Sequence, residues 1–277
     1  MNIDLRLGDC LEIMPEIPDK SVDMILCDLP YGTTAIKWDK PLPLVPLWEQ
    51  YERIIKYNGA IVLFSAQPFT TDLIVSNRKL FRYEIIWNKT TPTGFLNANK
   101  APLRTHENIC VFYKKLPTYN PINRRVDQKN IGRVRKNGTK TEQYSPFEKQ
   151  DWRYTETGKR FPTDVVEFSN WNGVSFGNVR DDATKHPTQK PVDLCKYLIF
   201  TYTNPGDIVL DNCMGSGSTG VACVQAERRF VGIELNQEYF SVAENRIKTA
   251  QAQPNLFLEG KLSTERSSRG TDEESER

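Results

Sequence analysis

The sequence predicts an α/β fold organised around a mainly parallel β-sheet. Short apolar runs that suit buried strands alternate along the chain with segments of helical periodicity. One unit shows this alternation in full, because a strand at residues 208–210 precedes a glycine-rich turn, a helix at 221–226 and a second strand at 230–234. The 277 residues suffice for one large α/β domain or for a domain with an insert.

The first half of the chain carries five predicted strands. They lie at residues 3–7, 22–27, 60–64, 83–87 and 108–113. Helical spacing predicts one or two turns of helix at 10–14 and a helix through Leu47, Tyr51 and Ile55 that ends at Asn58-Gly59. Pro68 is suited to open a further helix.

The second half returns to regular α/β alternation after a polar middle segment. A helix is predicted at residues 191–202, with its stop at Asn204-Pro205-Gly206. The last predicted helix, at 237–249, turns an apolar face inward. From residue 251 onward the chain is polar and rich in Ser, Glu and Arg, which predicts a disordered tail.

The turn after the strand at 208–210 has the spacing of a nucleotide-binding loop. Gly215, Gly217 and Gly220 satisfy G-x-G-x-x-G, and Glu234 follows Gly215 by nineteen positions, as a ribose-binding carboxylate does. Glycines allow a sharp turn and close approach to a ligand, and a helix start favours an anionic group. The unit indicates a nucleoside-containing cofactor without specifying which one. A glycine turn with no ligand is the alternative, since this motif alone is a weak signal.

The overall composition limits the classes of protein and the cellular compartments that fit this sequence. The formal net charge is only +2, so a nucleic-acid surface requires local clustering. Six cysteines without a C-x-x-C pair favour a reduced, cytoplasmic setting over a disulfide framework. Two histidines and no H-E-x-x-H make a metal site unexpected. The first residues show no secretory signal pattern, and no apolar run has the length of a membrane span.

Positive charge is concentrated in the middle of the chain. Residues 114–160 contain thirteen Lys and Arg against five Asp and Glu, with aromatic residues interleaved. Clustered Lys and Arg release counterions when they meet a nucleic-acid backbone, so the segment predicts a phosphate-contacting surface. A solvated insertion without a ligand is the alternative.

The candidate catalytic stretch is Asp28-Leu29-Pro30-Tyr31, at the carboxyl end of the second predicted strand, where open α/β sheets bind ligands. A carboxylate, a fixed carbonyl and an aromatic face suit methylation of an exocyclic amino group on a base. Asp28 and the Leu29 carbonyl would accept from the two N–H groups and stabilise the positive charge that develops on nitrogen. Tyr31 would stack on a flipped base. A plain strand-ending turn is the alternative.

Together these stretches resemble the amino-methylating DNA methyltransferases of the N6-adenine and N4-cytosine class. Asp28-Leu29-Pro30-Tyr31 is similar to that family's catalytic D-P-P-Y, residues 211–220 to its D-P-F-x-G-S-G-T-T cofactor loop, and residues 186–191 match H-P-T-Q-K-P. The order, with the catalytic motif first, is that of one subgroup. The resemblance covers about residues 4–248. It implies a Rossmann-like methyltransferase fold with a seven-stranded sheet and an inserted basic target-recognition segment.

The resemblance also implies roles for individual residues. The catalytic residues are Asp28, Leu29, Pro30 and Tyr31. The cofactor S-adenosyl-L-methionine is expected to contact Asp9, Cys10, Asp28, Lys190, Asp211, Gly215, Gly217, Ser218, Thr219 and Glu234. The partner, double-stranded DNA, is expected to contact Arg124, Arg125, Lys129, Arg133, Arg135, Lys136 and Lys140. Members often form dimers, which makes a homodimer the expectation.

The implied organisation divides the chain into a catalytic half at 1–113, a target-recognition insert at 114–185, a cofactor-binding half at 186–250 and a tail at 251–277. Two departures from the family pattern stand out. Leu29 replaces the first proline, which keeps the carbonyl but removes one fixed φ angle. Asn212-Cys213 replaces Pro-Phe in the cofactor loop, which changes the packing around it.

The predicted activity is direct in-line transfer of a methyl group to adenine N6 in DNA. Adenine is favoured because N4-cytosine members more often carry Ser where Asp28 stands. N4-cytosine methylation, methylation of RNA or protein, and DNA binding without catalysis stay open as alternatives. A nicotinamide-dependent oxidoreductase would share the glycine loop, but that loop normally opens its domain, and the class leaves Asp28-Leu29-Pro30-Tyr31 unexplained.

Overall fold

The computed structural model describes residues 2–32, 40–125, 159–170, 174–175, 178–179 and 189–252. Its centre is one sheet of eight strands in the order β1-β12-β11-β2-β3-β5-β4-β8. In chain order the strands are β1 (Ile3–Leu7), β2 (Val22–Asp28), β3 (Ile55–Ser65), β4 (Phe81–Thr93), β5 (Arg104–Phe112), β6 (Arg124–Arg125), β7 (Lys159–Arg160), β8 (Val165–Phe168), β9 (Val174–Ser175), β10 (Asn178–Val179), β11 (Ile208–Asp211) and β12 (Arg229–Glu234). The predicted tail begins too early, because residues 251 and 252 belong to the last helix; its remaining residues, 253–277, lie outside the described residues.

The sheet confirms the predicted α/β class. Neighbouring strands run parallel except at β5, which is antiparallel to both β3 and β4. There are eight strands instead of the expected seven, because β8 from the predicted insert joins the edge. The Ile86 N–H donates to the Asp164 carbonyl at 2.7 Å beside this pairing. The added strand thereby satisfies backbone groups that an open edge would expose.

Helices cover both faces of the sheet. They are α1 (Cys10–Ile13), α2 (Leu44–Ile54), α3 (Phe69–Ser76), α4 (Val192–Tyr202), α5 (Ser218–Gln225) and α6 (Gln237–Ala252). Helices α1 to α3 pack on one face and α4 to α6 on the other, each forming a separate apolar core. Along β2, Met24 and Leu26 enter one core while Ile25 and Cys27 enter the other, as strand alternation requires. Within the described ranges, no helix has the length and apolarity to cross a membrane.

The predicted end of α2 at Asn58-Gly59 is wrong. Helix α2 ends at Ile54, and Ile55 already pairs with Val22 as the first residue of β3. Gly59 serves the sheet instead of a helix stop: a Cβ there would lie 2.7 Å from the Asp23 carbonyl oxygen. The pairing of β2 with β3 shifts register at this place, and the close approach of the two backbones requires glycine.

Gly217 packs closely against α6, and we expect Gly217→Ala to lower the free energy of unfolding by about 2–4 kcal/mol. Gly217 has φ +79°, which disfavours a side chain. A Cβ there would also lie 2.9 Å from Cβ and 3.0 Å from Cα of Ala243. Urea denaturation monitored by circular dichroism measures the loss.

Gly206→Ala is the matched control for this test. Gly206 has φ +84°, but nothing lies within 4 Å of a Cβ built on it. The free energy of unfolding of Gly206→Ala should therefore fall only by the cost of the left-handed backbone conformation, about 1–2 kcal/mol. Equal losses in the two variants would show that α6 accommodates the added methyl group without cost.

Candidate active site

Four adjacent parallel strands bring the predicted catalytic and cofactor residues to one edge of the sheet. Strand β1 ends two residues before Asp9, β12 ends at Glu234, β11 at Asp211 and β2 at Asp28. These strands are hydrogen-bonded neighbours in the order β1-β12-β11-β2. Residues far apart in sequence therefore meet at the carboxyl ends of the strands, where open α/β sheets bind their ligands.

The carboxylate of Glu234 is fixed by two backbone groups. Its Oε2 accepts from the Gly215 N–H at 2.9 Å, and its Oε1 accepts from the Asn236 N–H at 2.8 Å. Burial raises the pKa of Glu234, although these hydrogen bonds oppose the shift. Each carboxylate oxygen retains acceptor capacity. Glu234 therefore supports the glycine loop and still offers two oriented acceptors to a ligand.

The start of α5 presents polar groups that suit a bound ligand. Gly217 is its N-cap in a left-handed conformation, and no side chain caps the first turn. The Ser218 hydroxyl oxygen is buried without a hydrogen-bond partner among the described residues. A buried unsatisfied hydroxyl costs free energy unless a ligand or water pairs with it. The sequence assigned Ser218 to the cofactor, and this unpaired atom fits a polar ligand at the helix start.

Asp211 lies beneath the same loop and is 3% exposed. Burial raises its pKa to about 7, although hydrogen bonds from Thr219 and the Cys213 N–H act in the opposite direction. Its Oδ1 accepts from the Cys213 N–H at 3.2 Å. Asp211 therefore shapes the loop from below, and its burial favours the neutral carboxyl group.

Asp9 and Cys10 lie beside the end of β12. Asp9 caps α1, since its Oδ1 accepts from the Leu11 N–H at 2.8 Å. The preceding residue ties the two strand ends together, because the Gly8 N–H donates to the Glu234 carbonyl at 2.9 Å. Cys10 is buried at the first position of α1. Contact of this pair with an adenine ring stays a prediction.

Asn212, part of one of the two departures from the family pattern, has a hydrogen-bond partner that the sequence did not indicate. The Tyr51 hydroxyl of α2 donates to Asn212 Oδ1 at 2.5 Å, and both side chains are buried. Asn212 Nδ2 also approaches the sulfur atoms of Cys10 and Cys213, each at 3.5 Å. Helical spacing identified Tyr51 only as part of an apolar face and gave no sign that its hydroxyl anchors the glycine loop.

Both oxygens of the Asp28 carboxylate are held. The Tyr31 hydroxyl donates to Oδ1 at 2.7 Å, and the Lys190 ammonium donates to Oδ2 at 2.6 Å. The Tyr31 ring stacks on Phe69, with centroids 5.1 Å apart and an angle of 22° between the planes. Burial and the nearby Asp28 carboxylate raise the pKa of Tyr31, so its hydroxyl stays a donor. The predicted catalytic stretch is thus a preorganised unit.

Gln189 and Lys190 connect the glycine loop with the predicted catalytic stretch. Gln189 Oε1 accepts from the Ser216 hydroxyl at 3.3 Å, while the next residue, Lys190, donates to Asp28. Lys190 also approaches Glu107 of β5. The sequence assigned Lys190 to the cofactor, a role that stays a prediction, and it did not identify Glu107 or Phe69. A charged residue directly before a buried strand run was the only sequence signal for Glu107.

The described part of the basic segment contains a small two-stranded ribbon. Strand β6 pairs with β7 in antiparallel register, which places Arg124 opposite Arg160. Arg124 is exposed, and its Nε donates to the Phe161 carbonyl at 3.3 Å. The other expected DNA contacts, Lys129, Arg133, Arg135, Lys136 and Lys140, lie outside the described residues, as does His186. DNA contact by Arg124 and Arg125 stays a prediction.

This edge, with a glycine loop and acidic residues at the ends of neighbouring parallel strands, defines a Rossmann-like α/β protein of the methyltransferase class. The sequence profile of the N6/N4 DNA methylase family matches residues 22–245. The chain therefore belongs to that family, whose cofactor is S-adenosylmethionine.

Named relatives agree with this membership. The Type II methyltransferase M.BglII of Bacillus subtilis is 32% identical over 85% of this chain and 66% of its own length. The DNA adenine methyltransferase YhdJ of Escherichia coli (strain K12) is 28% identical over 88% of this chain and 82% of its own. Among solved structures, the crystal structure of the M1.HpyAVI–SAM complex superposes with a TM-score of 0.57. The two sequences are 25% identical, and the match covers 88% of this chain and 99% of that one.

Proposed function

We propose that this chain transfers a methyl group from S-adenosyl-L-methionine to the exocyclic N6 of adenine at specific sites in double-stranded DNA. The observation that carries the proposal is Asp28, a carboxylate held at both oxygens one strand away from the glycine loop. The name of the relative YhdJ, a DNA adenine methyltransferase, supports adenine as the base. N4 of cytosine is the competing target within the same family.

The loop residues and Glu234 are suited to hold S-adenosyl-L-methionine. This cofactor supplies a methyl group on a sulfonium centre, which makes it electrophilic. Glu234 offers two oriented carboxylate oxygens for the ribose hydroxyls, and the Ser218 hydroxyl has unmet hydrogen-bonding capacity at the start of α5. The uncapped helix start favours the carboxylate at the methionine end.

The catalytic stretch acts on the amino group of a flipped base. Asp28 and the Leu29 carbonyl accept hydrogen bonds from the two N–H groups of this amino group. Leu29 is only 3% exposed. These hydrogen bonds withdraw the nitrogen lone pair from conjugation and stabilise developing positive charge. Tyr31, supported on one face by Phe69, stacks on the base. The chain forms no bond to substrate, and alignment supplies up to about 7–11 kcal/mol in favourable systems.

We further assign residues 114–185 to target recognition, flanked by a catalytic part at 1–113 and a cofactor-binding part at 186–250. The excess of Lys and Arg in residues 114–160 and the pairing of Arg124 with Arg160 on one ribbon support contact with the phosphate backbone. We also propose that the protein is a homodimer and acts in the cytoplasm. Salt dependence of DNA binding by the full chain tests the electrostatic contribution.

One experiment tests activity and base together. The protein is expressed in a host that lacks DNA methylation, and its genomic DNA is sequenced by a method that detects modified bases. We expect N6-methyladenine at one recurring sequence. N4-methylcytosine at a recurring sequence would overturn the choice of base and keep the chemistry. Unmodified DNA, from a protein that S-adenosyl-L-methionine stabilises thermally, would overturn the DNA methyltransferase assignment.

We expect Glu234→Gln to weaken S-adenosyl-L-methionine binding by about tenfold to 100-fold, since a hydrogen bond to a charged group contributes about 1.5–3 kcal/mol. The amide keeps the shape but exchanges one acceptor oxygen for a donor. It also loses one of the bonds to the Gly215 and Asn236 N–H groups, which loosens the loop in the same direction. Isothermal titration calorimetry measures the Kd.

Glu238→Gln is the matched control for cofactor affinity. Glu238 is an exposed carboxylate in the first turn of α6, four residues along the chain from Glu234. Its substitution should leave the Kd unchanged. An unaltered Kd in Glu234→Gln as well would remove Glu234 from the cofactor site.

A further inference from the structure

Four side chains of alternating charge form a continuous chain that starts at Asp28. The Lys190 ammonium lies 2.6 Å from Asp28 Oδ2 and 3.4 Å from Glu107 Oε2. The other oxygen of Glu107, Oε1, lies 3.2 Å from the Lys89 ammonium. Lys89 in turn donates to the Thr93 hydroxyl at 3.0 Å. The catalytic carboxylate is therefore the first member of an extended ion-pair network.

The fold places this network beneath the candidate site. Asp28 pairs with Phe64 of β3, and Phe64 pairs with Ile109 of β5, two residues beyond Glu107. Lys190 precedes α4, and its ammonium lies 5.2 Å from the centre of the Phe64 ring. The side chains of Lys89 and Lys190 are only 4% and 11% exposed. Ion pairs so little exposed are weakly screened by solvent and salt.

The opposite charges of the network stabilise each other's ionised forms. Burial would raise the pKa of Glu107, but the ammonium groups of Lys190 and Lys89 outweigh it and lower that pKa. Burial would lower the pKa of Lys190, but the carboxylates of Asp28 and Glu107 outweigh it and raise that pKa. Glu107 therefore stays an anion and Lys190 a cation across the neutral range.

The position of Lys190 decides how much of Asp28 is available to a substrate. An ammonium has three donors and no acceptor, and a carboxylate oxygen can accept more than one hydrogen bond. Lys190 bonds Asp28 through Oδ2 only, while Tyr31 holds Oδ1. Without a second anchor, the ammonium would be free to turn its remaining donors toward Asp28 and compete with an entering amino group. Glu107 Oε2, a buried oxygen without a hydrogen-bond partner among the described residues, lies 3.4 Å from the ammonium and offers it a second anionic neighbour.

We propose that Glu107 is a positioning residue for methyl transfer: it anchors the Lys190 ammonium so that Asp28 is oriented yet keeps acceptor capacity for the target amino group. The inference rests on the proposed function, since it takes Asp28 as the acceptor of that group. Glu107 contacts Lys190 and Lys89 and acts on the reaction through Lys190.

Glu107→Gln alone is an ambiguous test, because it also leaves the buried Lys89 without its counter-charge. The double variant Lys89→Met/Glu107→Gln removes that cost, since both charges disappear together. A purely structural Glu107, present to neutralise Lys89, predicts that the double variant regains the wild-type kcat. A positioning Glu107 predicts that it does not, because Lys190 still lacks its anchor.

We expect both variants to lose about tenfold to 100-fold in kcat, by analogy with the loss on removal of a side chain that orients a metal-ligating residue. The Kd for S-adenosyl-L-methionine should stay close to that of the wild type in both, because Lys190 itself is kept, and the double variant should unfold at the urea midpoint of the wild type. Glu84→Gln is the matched control. Glu84 is an exposed carboxylate that accepts from Asn108, the neighbour of Glu107, at 2.8 Å.

A second readout does not depend on turnover. At neutral pH the Lys190 ammonium should exchange its protons with water faster in both variants, because its ion pair with Glu107 is lost while Asp28 stays beside it. NMR of the ammonium group measures this exchange rate. Wild-type kcat in the double variant, or an unchanged exchange rate, would overturn the inference. Absence of DNA methylation by the wild type would overturn the proposed function instead, while the exchange rate still reports the anchor.

Discussion

Replacement of Asp28 by alanine is expected to lower kcat for methyl transfer by more than about 10³-fold, while the Kd for S-adenosyl-L-methionine changes by less than about threefold. The variant loses the carboxylate that we propose accepts from the target amino group. The Leu29 carbonyl stays, but a single acceptor cannot bind both N–H groups. Cofactor affinity is largely retained because Asp28 supplies only one of the expected cofactor contacts, while Glu234 and the loop residues lie on β12 and after β11.

Asp28→Asn separates chemistry from stability in this experiment. Alanine leaves the Lys190 ammonium with Glu107 as its remaining anionic neighbour, which destabilises the fold as well as the site. Asparagine keeps the shape and one acceptor oxygen for Lys190, but its amide places donors where the target amino group also donates. We expect the loss in kcat to be close to that of alanine, with a smaller loss of unfolding free energy.

Asp23→Asn is the matched control on the same strand. Asp23 also pairs with a lysine at 2.6 Å, in this case Lys56, but it lies near the opposite end of β2. A single-turnover assay with radiolabelled S-adenosyl-L-methionine and host-derived DNA compares the three variants. Full activity in Asp28→Asn, or an equal loss in Asp23→Asn, would contradict the catalytic role of Asp28.

The sequence predicted the parts of the fold that local patterns encode. Apolar runs located the parallel core strands, and the glycine spacing located the turn after β11 together with its carboxylate at the end of β12. The edge of the sheet was less predictable. Strand β8 is short and half-exposed, so its apolar signal is weak, and its place beside β4 depends on pairing across a distance of about eighty residues.

The candidate site likewise contains residues that local motifs predict and contacts that they do not predict. Asp28, Tyr31 and Glu234 were identifiable because each belongs to a motif with fixed spacing. The long-range contacts of the site were not identifiable, since Lys190 meets Asp28 across 162 positions and Tyr51 meets Asn212 across 161. Such contacts depend on which strand ends become neighbours in the sheet, and a single sequence does not encode that order locally.

Tyr31 is the second residue with a large expected effect. We expect Tyr31→Ala to weaken capture of the flipped base by about fivefold to 150-fold, since stacking of a base on an aromatic ring contributes about 1–3 kcal/mol. The Phe69 ring covers one face of Tyr31, so the variant also loses the platform that orients the base. Fluorescence of 2-aminopurine placed at the target position measures flipping, because the base brightens when it leaves the stack.

Tyr31→Phe distinguishes the ring from the hydroxyl. Phenylalanine keeps the stack on Phe69 but loses the hydrogen bond to Asp28 Oδ1, so base capture should persist while kcat falls by about tenfold. Tyr57→Ala, at an exposed tyrosine in the first part of β3, should leave both quantities unchanged. An undiminished 2-aminopurine signal in Tyr31→Ala would mean that the base is held elsewhere. Tyr31 would then serve the reaction only through its hydroxyl, by fixing the carboxylate that Lys190 holds from the other oxygen.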